Sequence, residues 1–445
     1  MLRAWGRGVR RRLRRLRTRL PPVLPKGRLQ RAFFLCYTSR HVTAALPVLA
    51  ELRRREEWEA VLIAASSDAE RALKKAQEPY LSFWAYDSTP MGPTAKRLAT
   101  RWAVLQQDET FHHCLTDERG ESLWSLMYPK LAELFDVRFG GGALFAERFL
   151  EAAWYTDIAR ALLAHLSPDL LVVMNELNVL GRATVLVARS QGVPSLHLQH
   201  GIMAEWMLWR KLHADHIAVW GEADRRRLIL AGVPSERITV TGNPHFDRLT
   251  QRISPETVRA LLASLGLQAD RPIILVTTQH DSLEASRRQL SAVIQAATAF
   301  PEHQIVVKLH PAERFEPYRR MLRELRAPHV HLTRDVDLFA LLEASAVLIT
   351  RFSTTGLEAM LKKKPVITLN FSGQPDKLPY AESGAALGVH HPAQLLPALQ
   401  AALENPAAVA EMQRHQERFV KEYAFRIDGQ AAQRIANLMC EVARA

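Results

Sequence analysis

Ala346-Val347-Leu348-Ile349-Thr350 runs without a break into Arg351-Phe352-Ser353-Thr354-Thr355-Gly356-Leu357-Glu358-Ala359-Met360, and this stretch decides the reading of the chain. The short apolar run predicts a buried strand, and the residues from Ser353 onward predict a helix continuing to Lys363. A strand passing directly into a helix is half of a βαβ unit, the building block of a parallel sheet. Three hydroxyls and a glycine at the helix start also form an anion site. Backbone N–H groups point outward there, the helix dipole is positive, and the hydroxyls add donors. Plain N-capping by Ser353 or Thr354 needs only one of them. Glu358, about one turn in, is placed to accept from a pair of ribose hydroxyls.

The same alternation continues on both sides. Pro272–Thr277, Gln304–Leu309 and Val330–Thr333 precede this unit as strands and Pro365–Leu369 follows it, with helices such as Ser282–Phe300 and Val336–Ala344 between. An earlier series reads the same way: Ala32–Tyr37, Ala60–Ala65, Leu170–Met174, Ser195–Leu198, His216–Trp220 and Ile238–Thr241. An amphipathic stretch around Leu46, Leu49 and Leu52 separates its first two strands. The fold class expected is α/β, with two Rossmann-like doubly wound domains facing a cleft. The division expected is a basic arm at 1–26, a first domain at 27–250, a linker at 251–270, a second domain at 271–415 and closing helices at 416–445. Residues 85–150, with their Gly140-Gly141-Gly142 run, read as inserted helices and loops.

Composition sets the outer limits. The 445 residues are 48% hydrophobic and 24% charged, which excludes disorder and suits two domains. Cys36, Cys114 and Cys440 are too few and too scattered for a disulfide scaffold or a Cys-rich zinc site. The net charge of +13 is confined to one end. Twelve of the 59 basic residues lie in 1–31, and the remaining 47 balance the 46 acidic ones. The charge therefore marks an arm and no nucleic-acid groove. Leu2, Trp5, Val9, Leu13, Leu16 and Leu20 make one helical stripe among nine arginines, which predicts a helix lying on an anionic membrane surface through residues 1–20. Pro21, Pro22 and Pro25 end it. No apolar run is long enough to span a bilayer or serve as a secretory signal, so the expected location is cytoplasmic, peripheral on the inner membrane face.

In doubly wound sheets ligands bind outside the carboxyl ends of strands, and four further motifs fall there. Lys308-Leu309-His310-Pro311 ends a strand with a histidine able to donate to a phosphate. Thr241-Gly242-Asn243-Pro244-His245-Phe246-Asp247 is either a turn that lets backbone approach a ligand or an interdomain turn. Leu198-Gln199-His200-Gly201 suits an active-site loop, and Glu176 is a candidate general base, with a salt bridge or helix cap as the structural alternative. Asp335-Val336-Asp337 sits at a helix start, where carboxylates serve as caps, so neither metal nor cofactor is expected.

Together these motifs resemble bacterial surface-polysaccharide glycosyltransferases of the GT-B fold, including capsule-biosynthesis and CMP-sugar-using groups, with CDP-glycerol glycerophosphotransferases as cousins. The resemblance covers about residues 165–440, ending at Asp428-Gly429. It implies that His310, Ser353, Thr354 and Thr355 bind the phosphate and ribose of a nucleotide-sugar donor. Gly242, Asn243, Lys308, Gly356 and Glu358 complete the donor set, and Glu176 and His200 are the catalytic candidates. The implied activity is metal-independent, inverting transfer from a CMP-sugar, such as sialic acid or Kdo, to a glycan or lipid-linked acceptor. Asp117-Glu118-Arg119-Gly120 departs by an extra Arg from the motif that holds the base in many CMP-sialic acid transferases, so Asp117 and Glu118 compete with Glu176. The chain also resembles non-hydrolysing UDP-N-acetylglucosamine 2-epimerases in its Gly-Asn, His-Pro and Glu-Ala positions. The alternatives are thus epimerisation, CDP-glycerol-type polyol phosphate transfer, or a non-catalytic nucleotide-sugar-binding scaffold.

Overall fold

The computed structural model describes residues 29–55, 57–87, 141–203, 212–250, 252–279 and 282–444, with isolated helical positions between 93 and 100. The basic arm, Asp117 and Glu118 lie outside the described residues.

The first sheet comprises β1 (Gln30–Cys36), β2 (Trp58–Ala64), β3 (Leu81–Ser82), β4 (Leu170–Val173), β5 (Ser195–Leu198), β6 (His216–Val219) and β7 (Ile238–Val240). Their order is β3-β2-β1-β4-β5-β6-β7 and every pairing is parallel. The second comprises β8 (Ile273–Thr277), β9 (Gln304–Lys308), β10 (His331–Thr333), β11 (Ser345–Thr350), β12 (Val366–Leu369) and β13 (Leu387–Val389), ordered β10-β9-β8-β11-β12-β13 and again parallel. The strands are apolar almost throughout because helices cover both faces of each sheet. Strand order reverses between β1 and β4 and between β8 and β11, which opens a crevice at each carboxyl edge.

Three local features go beyond the sequence pattern. The stretch read as a linker contains a helix, Pro255–Ser264, started by Ser254 accepting from the Thr257 N–H and by proline at the first helical position. The glycine run opens the 26-residue helix Gly141–Leu166, held by Ile158, Leu162, Leu163 and Leu166 in the first core. Strands β3 and β13 had no reading in the sequence.

The chain ends by crossing back. Helix Pro406–Ala424 packs Phe419 and Tyr423 into the second domain's core. Helix Ala431–Arg444 instead buries Ile435, Leu438, Met439 and Val442 in the first core, against helix Ser39–Arg55. At about 1.5–3 kcal/mol for each buried side chain, this crossover is a strong tie between the domains. No helix among the described residues is long and apolar enough to cross a membrane.

Candidate functional site

On the second-domain side, Ser353 caps helix Thr354–Leu361 by accepting from the Thr355 N–H at 3.3 Å. Thr355 lies below, in a hydroxyl triangle with Thr277 (3.1 Å) and Thr350 (3.3 Å) at the ends of β8 and β11. Gly356 is required by packing. A Cβ there would stand 2.8 Å from the Tyr380 ring, whose hydroxyl donates to the Ser353 carbonyl at 2.9 Å. Burial pushes Glu358 up to about 7, against the pull of Lys308, Arg40 and Arg248. Burial also lowers Lys308, with Glu358 and Asp335 opposing.

The loop after β9 is built around a buried carboxylate. Glu313 Oε2 accepts from the His310 N–H at 2.9 Å and from the Thr278 hydroxyl, and Oε1 accepts from Tyr318 at 2.5 Å. His310 Nδ1 accepts from the Ala312 N–H at 3.2 Å. Its Nε2 stands 3.1 Å from Nη2 of Arg40, which belongs to the first domain. Asp337 is spent on helix Leu338–Glu343, accepting from the Phe339 N–H at 2.9 Å, and it pairs with Arg248. Among the described residues no three His, Cys, Asp or Glu side chains gather as metal ligands.

On the first-domain side, Glu176 is fully buried. Oε2 accepts from the N–H groups of His213 (2.5 Å) and Ala214 (3.1 Å), and Oε1 meets His197 Nδ1 at 3.0 Å. Burial favours the neutral acid. The hydrogen bond from His197, with the two backbone donors, nevertheless holds the carboxyl below its ordinary range. His200 contacts His41 edge-on with ring centroids 4.7 Å apart. Burial pushes it down to about 4, helped by the charges of His197 and Arg40. Gln199 is a strut. Its amide donates to buried Asp224 at 2.5 Å and its Oε1 accepts from the Trp220 N–H at 2.7 Å. A Cβ placed on Gly201 would stand 4.0 Å from Thr354 Oγ1, so the two strand-end loops face each other.

The structure thus brings His200, Lys308, His310, Ser353, Thr354, Thr355 and Glu358 to facing strand ends. Gly242 and Asn243 stand elsewhere, in the crossover. Gly242 has φ +81°, and a Cβ there would meet Arg434 and Ala431. Arg434 Nε donates to the Thr241 carbonyl at 2.7 Å, and Asp247 caps the last helix by accepting from the N–H groups of Ala431 (3.0 Å) and Ala432 (2.8 Å). Asn243 Oδ1 accepts from the His245 N–H at 3.0 Å. Sequence reasoning passed over Arg40, His197 and Glu313. The one available signal was the position of Arg40, at the start of the helix leaving β1 beside the strand-order reversal.

Two doubly wound parallel sheets with facing carboxyl edges define a protein of the GT-B fold. Residues 156–440 match the UDP-N-acetylglucosamine 2-epimerase family, and the chain belongs to it. A "Probable UDP-N-acetylglucosamine 2-epimerase" of Ralstonia nicotianae is 27% identical over 312 residues, 62% of this chain and 79% of that protein. The crystal structure of the Neisseria meningitidis UDP-GlcNAc 2-epimerase bound to UDP-GlcNAc is similar at a TM-score of 0.63 and 15% identity, covering 93% of this chain and 100% of that one. A glycosyltransferase from Rickettsia africae is similar at a TM-score of 0.56 and 10% identity, covering 93% and 100%. These two likenesses concern the fold.

Proposed function

We propose that the cleft binds the diphosphate of a UDP-linked N-acetylhexosamine and that the protein inverts the sugar at C2. The meeting of Arg40 and His310 carries the first half of this reading. A guanidinium only donates, and an imidazole whose Nδ1 accepts from Ala312 carries its hydrogen on Nε2. Both groups can donate, and they converge to 3.1 Å from the two domains. An oxygen of a diphosphate can accept from both, and its charge strengthens both bonds. Lys308, which feels the charge of Arg40, and the helix start at Ser353 and Thr354 offset charge on the departing diphosphate, and Thr355 ties that helix to the ends of β8 and β11. Glu358 then takes the ribose hydroxyls. Gly242, Asn243 and Gly356 act in this reading as scaffold.

Family membership and the epimerases among the similar structures support the second half. They move the preferred reading from CMP-sugar transfer to its epimerase alternative. Inverting C2 needs a group that takes a proton there and a group that returns one to the other face. Residues 27–250 with the last helix meet the sugar, and residues 271–415 hold the nucleotide. A second reading, transfer of the sugar to a membrane-held glycan or lipid-linked acceptor, draws on the basic stripe of residues 2–20, which an enzyme acting on a free nucleotide sugar has no need of.

Proton NMR of UDP-GlcNAc incubated with the full chain tests both readings. Appearance of UDP-ManNAc supports epimerisation. Release of UDP only after a lipid-linked or glycan acceptor is added supports transfer instead. An unchanged donor in both arms refutes the proposal.

A further inference from the structure

We propose that His197 exchanges the proton with the sugar and that Glu176 is the positioning residue behind it, an assignment resting on the sugar-binding reading above. Glu176 itself is fully buried, and both of its oxygens are engaged, by two backbone N–H groups and by His197. A carboxylate held in its charged form accepts hydrogen bonds and donates none. The hydrogen shared at 3.0 Å therefore sits on His197 Nδ1, and the lone pair is left on Nε2. That is the tautomer a general base needs, with a carboxylate behind it to stabilise the imidazolium that forms.

The surroundings fit the role. His197 lies in β5 and, with Asn175, His200 and Gly201, borders a cavity of about 200 Å³. Gly201 also faces Thr354 across the cleft, so the rim of this cavity reaches the place assigned to the diphosphate. Among the described residues, His41 from the helix after β1 and His200 from the loop after β5 interact electrostatically with His197. Arg237 lines the same cavity, and His213 stands beside Glu176 with Arg182 and Arg189 near it. Arg40, beside His41, carries positive charge next to His200. None of these offers a negative charge, which leaves Glu176 as the carboxylate that holds the ring.

The chemistry balances with water as the only further proton source. Nε2 takes the C2 proton, and the C2–H electron pair forms a C1–C2 double bond. The C1–O bond breaks, with its pair leaving on the diphosphate. A proton drawn from solvent adds to C2 on the opposite face while the diphosphate oxygen re-forms its bond to C1, and His197 gives its proton back to solvent, which completes the inversion.

Exchange in D₂O separates this assignment from a structural role. Wild-type protein given UDP-GlcNAc is expected to place deuterium at C2, read by NMR. His197→Asn, which keeps a donor toward Glu176, is expected to bind UDP as wild type does and to lose exchange by at least about a hundredfold. Glu176→Gln removes the charge that favours a protonated ring, so the acid limb of its rate profile is expected to move to lower pH. A brace with no part in proton transfer leaves that limb in place. His197→Asn exchanging at the wild-type rate overturns the proposal, as does an unmoved acid limb in Glu176→Gln. If His197→Asn does not fold, the limb shift decides alone. Wild-type protein that binds UDP but exchanges no deuterium refutes the epimerase reading and this assignment with it.

Discussion

Gly356→Ala is a one-carbon perturbation whose consequences can be worked from two distances. The new Cβ would stand 2.8 Å from Tyr380 Cε2 and 3.1 Å from Cζ. Comfortable carbon–carbon contact begins near 3.5 Å, so the ring must retreat by roughly 0.7 Å. It has little room, being 1% exposed and packed against Phe419 with centroids 5.2 Å apart. Overpacking of this kind costs about 1–3 kcal/mol. Pulling the Tyr380 hydroxyl from the Ser353 carbonyl adds about 0.5–1.5 kcal/mol. For domains of this size, a total of about 1.5–4.5 kcal/mol lowers Tm by roughly 3–18 °C. Because the same shift displaces Ser353, UDP affinity falls as well. Differential scanning calorimetry and UDP titration of the variant check both effects. Wild-type Tm together with wild-type affinity would show that the glycine is not a packing requirement and that the Tyr380 brace does not hold the helix start.

Arg40→Ala and His310→Ala are each expected to weaken UDP binding about ten- to a hundredfold. The double variant should fall short of the product, since both residues address one phosphate; full additivity in calorimetry counts against a shared oxygen. Asp224 gives a pH signature. Burial raises it to about 6 in the folded protein, with Gln199 and Arg227 opposing, against about 3.9 when unfolded. Its favourable contribution is complete below pH about 4, is lost as pH rises through about 6, and amounts to about 2–3 kcal/mol. Urea unfolding of wild type should therefore gain stability between pH 7 and 5 relative to Asp224→Asn, and parallel curves would contradict this. Removing residues 1–26 is expected to abolish sedimentation with anionic vesicles at low salt and leave the thermal transition unchanged. Retained sedimentation would exclude the arm as anchor.

Most of the sheet framework was legible because strands covered on both faces must be apolar along their whole length, as Ile273–Thr277 and Val366–Leu369 are. The strands that escaped are held by backbone. β3 pairs only two of its residues with β2, and β13 carries Gly388 against Thr368. Helix Pro255–Ser264 buries only Leu262 and so shows little stripe. Within the site, hydroxyls and histidines that end strands announce themselves. Arg40 does not, since an exposed arginine at a helix start gains meaning only from His310, 270 residues away. His197 looks like one more residue inside a strand, and its partner Glu176 like a free carboxylate, until burial is known. Gly242-Asn243 read equally as a ligand loop or an interdomain turn, because no local pattern reveals that Arg434 stands next to the glycine.

The central claim is that Arg40 and His310 close on one diphosphate oxygen, and calorimetric titration of UDP and of CMP into wild type and into the Arg40→Ala/His310→Ala double variant tests it most directly. The account predicts that UDP binds wild type more tightly than CMP does and that the double variant loses most of that advantage. Wild-type protein that fails to bind UDP, or that binds it no more tightly than the double variant does, would contradict it.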